Sequence, residues 1–493
     1  AQFTYPAADV VGTDEANFRM QRYDNGLSTW KSDVGSITVP GANSTLTTSS
    51  LTEITGWLNN NDITSFTAPE TYYWSRNTGV AWNAATAWVV TDVNVDPGAG
   101  GTPTSVVPDR SNNKGITIRS GHTITVNAGT YTADQLTVAA GGTLALGANN
   151  LTLYNGLGTD LTVDGTLTTN GGQLVSAEAD IAIALNGTLN TSDADGFAID
   201  ANSTIPTTNS PAITLGANST INFSGAAGQK IDTRTDYANL QATNPGAKIA
   251  QGAITVNKDL TVNNASFDQN GNTITLKGGA TFTGTGTMSG TGLLLLTGGS
   301  ASHTIAGNNA TFINLELDDA NGAAFSGATN IISGNLVVTR GTLVLNAFTT
   351  LTLSGTTTIG AGANPAAIAI NSNAGTKIFT GLITIGANGT WNNSANEAFT
   401  IRGSIDNAGT FNAGTGVYTF DTNNQSLTGT FSIPSVTVTG VTLTNNNSLT
   451  VATALGGATG ILTQASSATL NIGVTGAVTL GTLNADASGN TVT

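Results

Sequence analysis

The chain has 493 residues, of which only 9% are charged, with 61 Gly, 11 Pro, no Cys and a formal net charge of −15. The lack of Cys excludes disulfides, thiolate metal sites, iron–sulfur clusters and Cys nucleophiles. The sparse, scattered Lys and Arg supply no basic stripe for nucleic-acid phosphates or an anionic membrane surface. The longest aliphatic run, Leu293 to Leu296, is far short of the ~20 residues of a spanning helix.

Residues 1–71 read as an N-terminal extension that caps the body or contacts another subunit. The opening AQFTYP suits a mature N-terminus left by signal cleavage, although no signal peptide is visible. Residues 72–115 form a Trp-rich lead-in ending in the linker-like DPGAGGTPTSVVPD (96–109). Five of the six Trp precede residue 116: Trp30, Trp57, Trp74, Trp82 and Trp88. They are candidates for a cap or assembly contact, because an open solenoid end exposes both core and unpaired strand edges. An exposed platform for sugar is the other reading of Trp74, Trp82 and Trp88, and Tyr72 and Tyr73 follow whichever holds.

From about Ile116 to the last residue the texture changes. In GNLVVTRGTLVLNAFTTLTLSG (334–355) the pairs Leu336/Val338, Leu343/Leu345 and Leu351/Leu353 each flank one residue. That is strand periodicity, with alternate side chains on opposite faces. Gly and Asn close the units, as residues that tolerate left-handed turns. A longer, imperfect repeat of about 75 residues sits above the short one. It aligns Ile231, Ile305 and Leu427; Leu240, Leu315 and Val436; and Leu260, Leu336 and Leu449. The pattern predicts an all-β fold, a right-handed parallel β-helix over 116–493. At ~4.8 Å per coil and roughly 20–25 residues per coil it would be about 70–90 Å long. A string of β-sandwiches is the rival, but it calls for longer strands and clearer breaks about every 100 residues.

The segments YYWSRNTGVAWNAATAWVV, VVPD, ITIRSGHTITV, LTVAAGGTLAL, FINLEL and GNLVVTRGTLVL together resemble the large secreted β-solenoid repeat proteins of Bacteroidota. The resemblance spans residues 72–493. It implies a right-handed parallel β-helix exported to the cell surface or medium, commonly by the type IX route, and a role as adhesin, filament component or stalk. The C-terminal sorting domain of such proteins has no match in this sequence.

Parallel β-helices also carry pectate-lyase-like and polygalacturonase-like enzymes, so the carboxylates matter. Glycosidic chemistry needs two carboxyls a few ångströms apart. The densest groups are Glu316, Asp318 and Asp319 in LELDDANG, and Asp193, Asp195 and Asp200 in TSDADGFAID. The first places Glu316 and Asp318 opposite Leu315 and Leu317, on the solvent face, and reads as solvated turn carboxylates. The second is a weak calcium candidate, since DADG lacks the third ligand and the closing Glu of a full loop. His122 and His303 are the only histidines. Each opens a strand and reads as a turn residue, and a multi-His metal site within one chain is excluded. No G-x-S-x-G elbow is present.

The expectation is therefore an extracellular structural protein without catalytic residues or cofactor. It would be a surface filament subunit or adhesin shaft, with other copies of itself as head-to-tail partners and surface glycans as a further ligand class. A polysaccharide-binding or polysaccharide-degrading β-helix is the alternative.

Overall fold

The structure, a computed structural model, describes residues 71–493 apart from 157 and 475, and before them only the backbone of short strands. Those early strands pair antiparallel, as between Gln2–Pro6 and Asn43–Thr48. From Asn113 onward the pairing is parallel throughout, each strand lying against its equivalent one coil away.

The coil has three walls. On the first, Ile116, Leu136, Leu161, Ile183 and Ile213 stack inward, and further along Ile254, Ile274, Leu294, Leu315 and Leu336 do so. On the second, Ile124, Leu144, Leu167, Leu189 and Ile221 form the ladder. On the third, Ile332, Leu353, Phe379, Ile401, Phe420 and Val438 do the same. The strand Leu336–Leu353 wraps all three walls in one pass. Leu336 and Val338 sit on the first, Leu343 and Leu345 on the second, Leu351 and Leu353 on the third, and all six are buried. One continuous apolar core runs from Tyr73 to Leu470. About eighteen coils separate Ile116 from Leu483, so the body is roughly 80 Å long at ~4.8 Å per coil.

Why these residues make this shape is local. Alternation puts Leu, Ile and Val inside, where each contributes roughly 1.5–3 kcal/mol of transfer energy. Every interior strand finds backbone partners in both neighbouring coils, so no edge is left open along the column. One corner stacks Phe282, Phe312, Phe325 and Phe348 edge to face, with centroids 4.9, 5.3 and 5.0 Å apart. Another is a ladder of Gly334, Gly355, Gly381 and Gly403, where a Cβ on each of the last three would overlap the carbonyl of the glycine before it and one on Gly334 would overlap Ile313 O. These four glycines have ordinary φ values. Close approach of successive coils requires them, not the left-handed turns expected of the sequence's glycines. The longer sequence repeat does not follow the coil: Ile231 lies on the third wall, whereas Ile305 continues the second-wall ladder of Leu240, Leu260 and Ala280.

The first coil is closed by an aromatic cap. Strand Thr71–Ser75 pairs parallel with Asn113–Ile118, and on its other side antiparallel with Trp88–Thr91, which pairs with Thr102–Thr104.

Candidate functional site

Tyr73, Trp82 and Trp88 face the core, whereas Trp74 lies on the outer side of its strand. Trp82 and Trp88 are fully buried with ring centroids 5.1 Å apart, and Tyr131 lies 6.3 Å from Trp82. Trp82 Nε1 donates to Pro108 O and Trp88 Nε1 to Trp82 O, at 3.2 and 2.7 Å. Trp74 is buried, donates to Thr91 Oγ1 at 3.0 Å, and has the Arg119 guanidinium 5.7 Å from its ring. Tyr73 is buried as well. These are packing positions, with each indole N–H satisfied, so neither Trp82 nor Trp88 offers a face to sugar. The side chains of Trp30 and Trp57 lie outside the described residues. His122 tethers the cap: its Nδ1 lies 2.8 Å from Ser75 Oγ, which also accepts the Arg119 N–H.

The carboxylates of LELDD do not act as a set. Glu316 and Asp318 point outward as expected, and each has its own partner in the next coil. Thr339 Oγ1 donates to Glu316 at 2.7 Å, and Arg340 pairs with Asp318 at 3.1 Å. Asp319 departs from the expectation of a solvated carboxylate: it is 4% exposed. Its chain turns under the corner, where it accepts the N–H groups of Gly299 and Asn321 and faces His303 Nε2 at 3.1 Å. Burial pushes its carboxyl up, but these donors outweigh burial and hold it below the usual carboxylate range. His303 is itself buried, and its Nδ1 lies 2.8 Å from Gly278 O. Both ring nitrogens are thus engaged, one by a backbone carbonyl and one by the Asp319 carboxylate. Beside Arg340 a surface groove of about 430 Å³ is lined by Thr342, Asn364, Pro365, Ala367, Asn388 and Thr390.

Asp193, Asp195 and Asp200 do not enclose a cation site. Asp195 holds the ammonium of Lys230, with Asp200 3.6 Å away, and Asp193 accepts the Asp195 N–H at 3.1 Å. Among the described residues no group of three His, Asp or Glu side chains converges as metal ligands would. The loop carrying them is fastened instead by Asp232, which accepts the N–H groups of Phe197 and Ala198 at 3.2 and 2.7 Å. Burial pushes the Asp232 carboxyl up to about 6.

Sequence reasoning missed a set of polar side chains that point into the core at the corner before the third wall. Lys248 Nζ donates to Gly225 O and Ala227 O, and burial lowers its ammonium to about 8. Lys377 Nζ donates to Ser372 O and Ala374 O and lies 3.2 Å from the buried Glu397. Gln229 clamps carbonyls in the same way, and Gln425 does so at the corner before the first wall. The only signal was an interruption of alternation, as in GTKIF, where Lys377 takes an inward position.

No known protein-family model matches this chain, and neither a curated protein nor a solved structure matches it. The fold therefore rests on its own register and packing.

Proposed function

We propose that the protein is an extracellular structural element, the shaft of a surface filament or adhesin. The carrying observation is the unbroken core column, which makes length and rigidity from one repeated step while each carboxylate of the two acidic clusters is engaged by the scaffold. A parallel β-helix extends by adding coils in register, so the first coil of a second copy can do chemically what the next coil of the same chain does. Contacts of that head-to-tail kind do not close and propagate as filaments. Negative-stain imaging of the purified protein tests this. Rods of about 80 Å or filaments of the same width are expected, and compact particles would refute the reading.

The groove beside Arg340, with Thr342, Asn364, Asn388 and Thr390 among its lining, favours a second reading, a polysaccharide-binding or polysaccharide-degrading β-helix. It requires retention on, or cleavage of, pectin, alginate or another acidic glycan, lost on Arg340→Ala. Product that disappears with Asp318→Asn and Asp319→Asn would make the enzyme reading the better one.

A further inference from the structure

The second wall carries an outward surface distinct from the rest of the rod. In the first five coils its strands read T-I-T, T-L-A, T-L-T, T-L-N and T-I-N from residues 123, 143, 166, 188 and 220. The middle residue of each points inward and is buried. The first residues form one rank along the rod: Thr123 pairs with Thr143, Thr143 with Thr166, Thr166 with Thr188, and Thr188 with Thr220. A second rank runs beside it through Thr125, Ala145 and Thr168 to Asn190 and Asn222. The two asparagines are held in line, with Asn222 Nδ2 donating to Asn190 Oδ1 at 2.9 Å and Thr243 Oγ1 donating to Asn222 Oδ1 at 2.8 Å. None of these ten positions is charged.

The uniformity is not a general demand of the wall. Further along, the same rank holds Ala324 opposite Val344, so other small or β-branched residues serve the coil equally well. The first wall does not sustain such a rank, because its outward Thr117, Thr137 and Thr162 give way to Ala184 in the next coil. Over these five coils the second wall displays two outward ranks, one of them entirely Thr.

We propose that this plane binds ice. Hydroxyl and methyl repeat about 4.8 Å along the Thr rank, and at Thr125 and Thr168 they repeat about 6.7 Å across it, within roughly a tenth of the two oxygen spacings of an ice prism face. Each Thr offers a methyl group around which water orders as a cage and a hydroxyl that pins that cage to the lattice. A fixed array of this kind holds ordered water without paying for side-chain rearrangement, since the β-branched rotamers are already restricted. Charge would disrupt such a layer by orienting water around itself, and the plane carries none. The inference is independent of whether the rod is a filament shaft. A shaft with this face would anchor its bearer to ice or keep ice from growing.

The test is nanolitre osmometry on the purified protein, with ice-recrystallisation assays alongside. The unaltered protein should open a gap between melting and freezing points and produce faceted crystals. Thr166→Tyr, at the centre of the plane, should remove most of the gap. Thr162→Tyr, outward on the neighbouring wall, should leave it intact. Matching circular dichroism melts for both variants exclude misfolding as the cause. No gap in the unaltered protein, or equal loss in the two variants, overturns the proposal. So does retention on crystalline cellulose or chitin without any gap, which would assign the array to a sugar lattice instead.

Discussion

Asp232 shows how one side chain sets a pH response. Its folded-state carboxyl sits near 6, above the ordinary 3.8, because burial outweighs the two N–H groups of the loop that it accepts. Between those values the folded chain holds a proton that the unfolded chain has released. Stability therefore falls as pH rises from about 4 to about 6 and is level above that, a loss on the order of 3 kcal/mol from this group. Thermal melts across that window should show the decline, and Asp232→Asn should flatten it. A steeper decline in the variant would assign the response elsewhere. The inward register is testable at the same scale. Leu345→Asp buries an unpaired charge and should cost several kcal/mol, about what an uncompensated buried carboxylate costs. Thr352→Asp faces out and should be nearly silent in urea denaturation; equal midpoints for the two would break the register.

At the level of the coil, stability depends on how corners are closed. Two lysines do the same work differently: Lys248 clamps two carbonyls with no carboxylate nearby, whereas Lys377 has Glu397 as well. With its side chain 2% exposed, Glu397 finds its carboxyl pushed up by burial, an effect the Lys377 ammonium only partly offsets. Removing one partner should be worse than removing both. Glu397→Ala strands a buried ammonium and should cost roughly 3–5 kcal/mol, while Lys377→Met with Glu397→Leu should come close to the parent. Chemical denaturation of the three proteins decides it; additive losses would contradict the pairing. The strands themselves were legible in the sequence, because alternation of Leu, Ile and Val with Thr is a local signal. The corners were not. Whether Gly355 is a turn or a rung depends on Gly334, one coil away. Likewise Asp319 reads as a turn carboxylate until His303 is placed beneath it. Register across coils decides such positions, and a single sequence does not display it. The cap was half legible: Trp-rich composition marked it, but only folding shows Trp82 and Trp88 inside.

Over the whole molecule, contact is nearest-neighbour along one axis. Leu345 on its strand meets Phe325 in the coil before and Ile370 in the coil after, and nothing in the pairing reaches further. Such a chain is quasi-one-dimensional, with stability the sum of coil terms and coil–coil interfaces. A lesion in one coil should then spread by interface loss and fade, where a globular core would fail as a unit. Leu345→Asp gives a direct measurement by hydrogen exchange. Strands Ala323–Ile332, Leu336–Leu353 and Ala366–Ile370 should lose protection together, since they share interfaces with the altered rung. Strands Leu136–Val138 and Leu161–Val163, many coils away, should exchange as in the parent. Uniform loss from end to end would mean that the column melts as one cooperative body, and the additive picture would fail. Local failure is also what a load-bearing shaft requires, because a damaged coil can open and re-form while the coils on either side keep the register that guides it back.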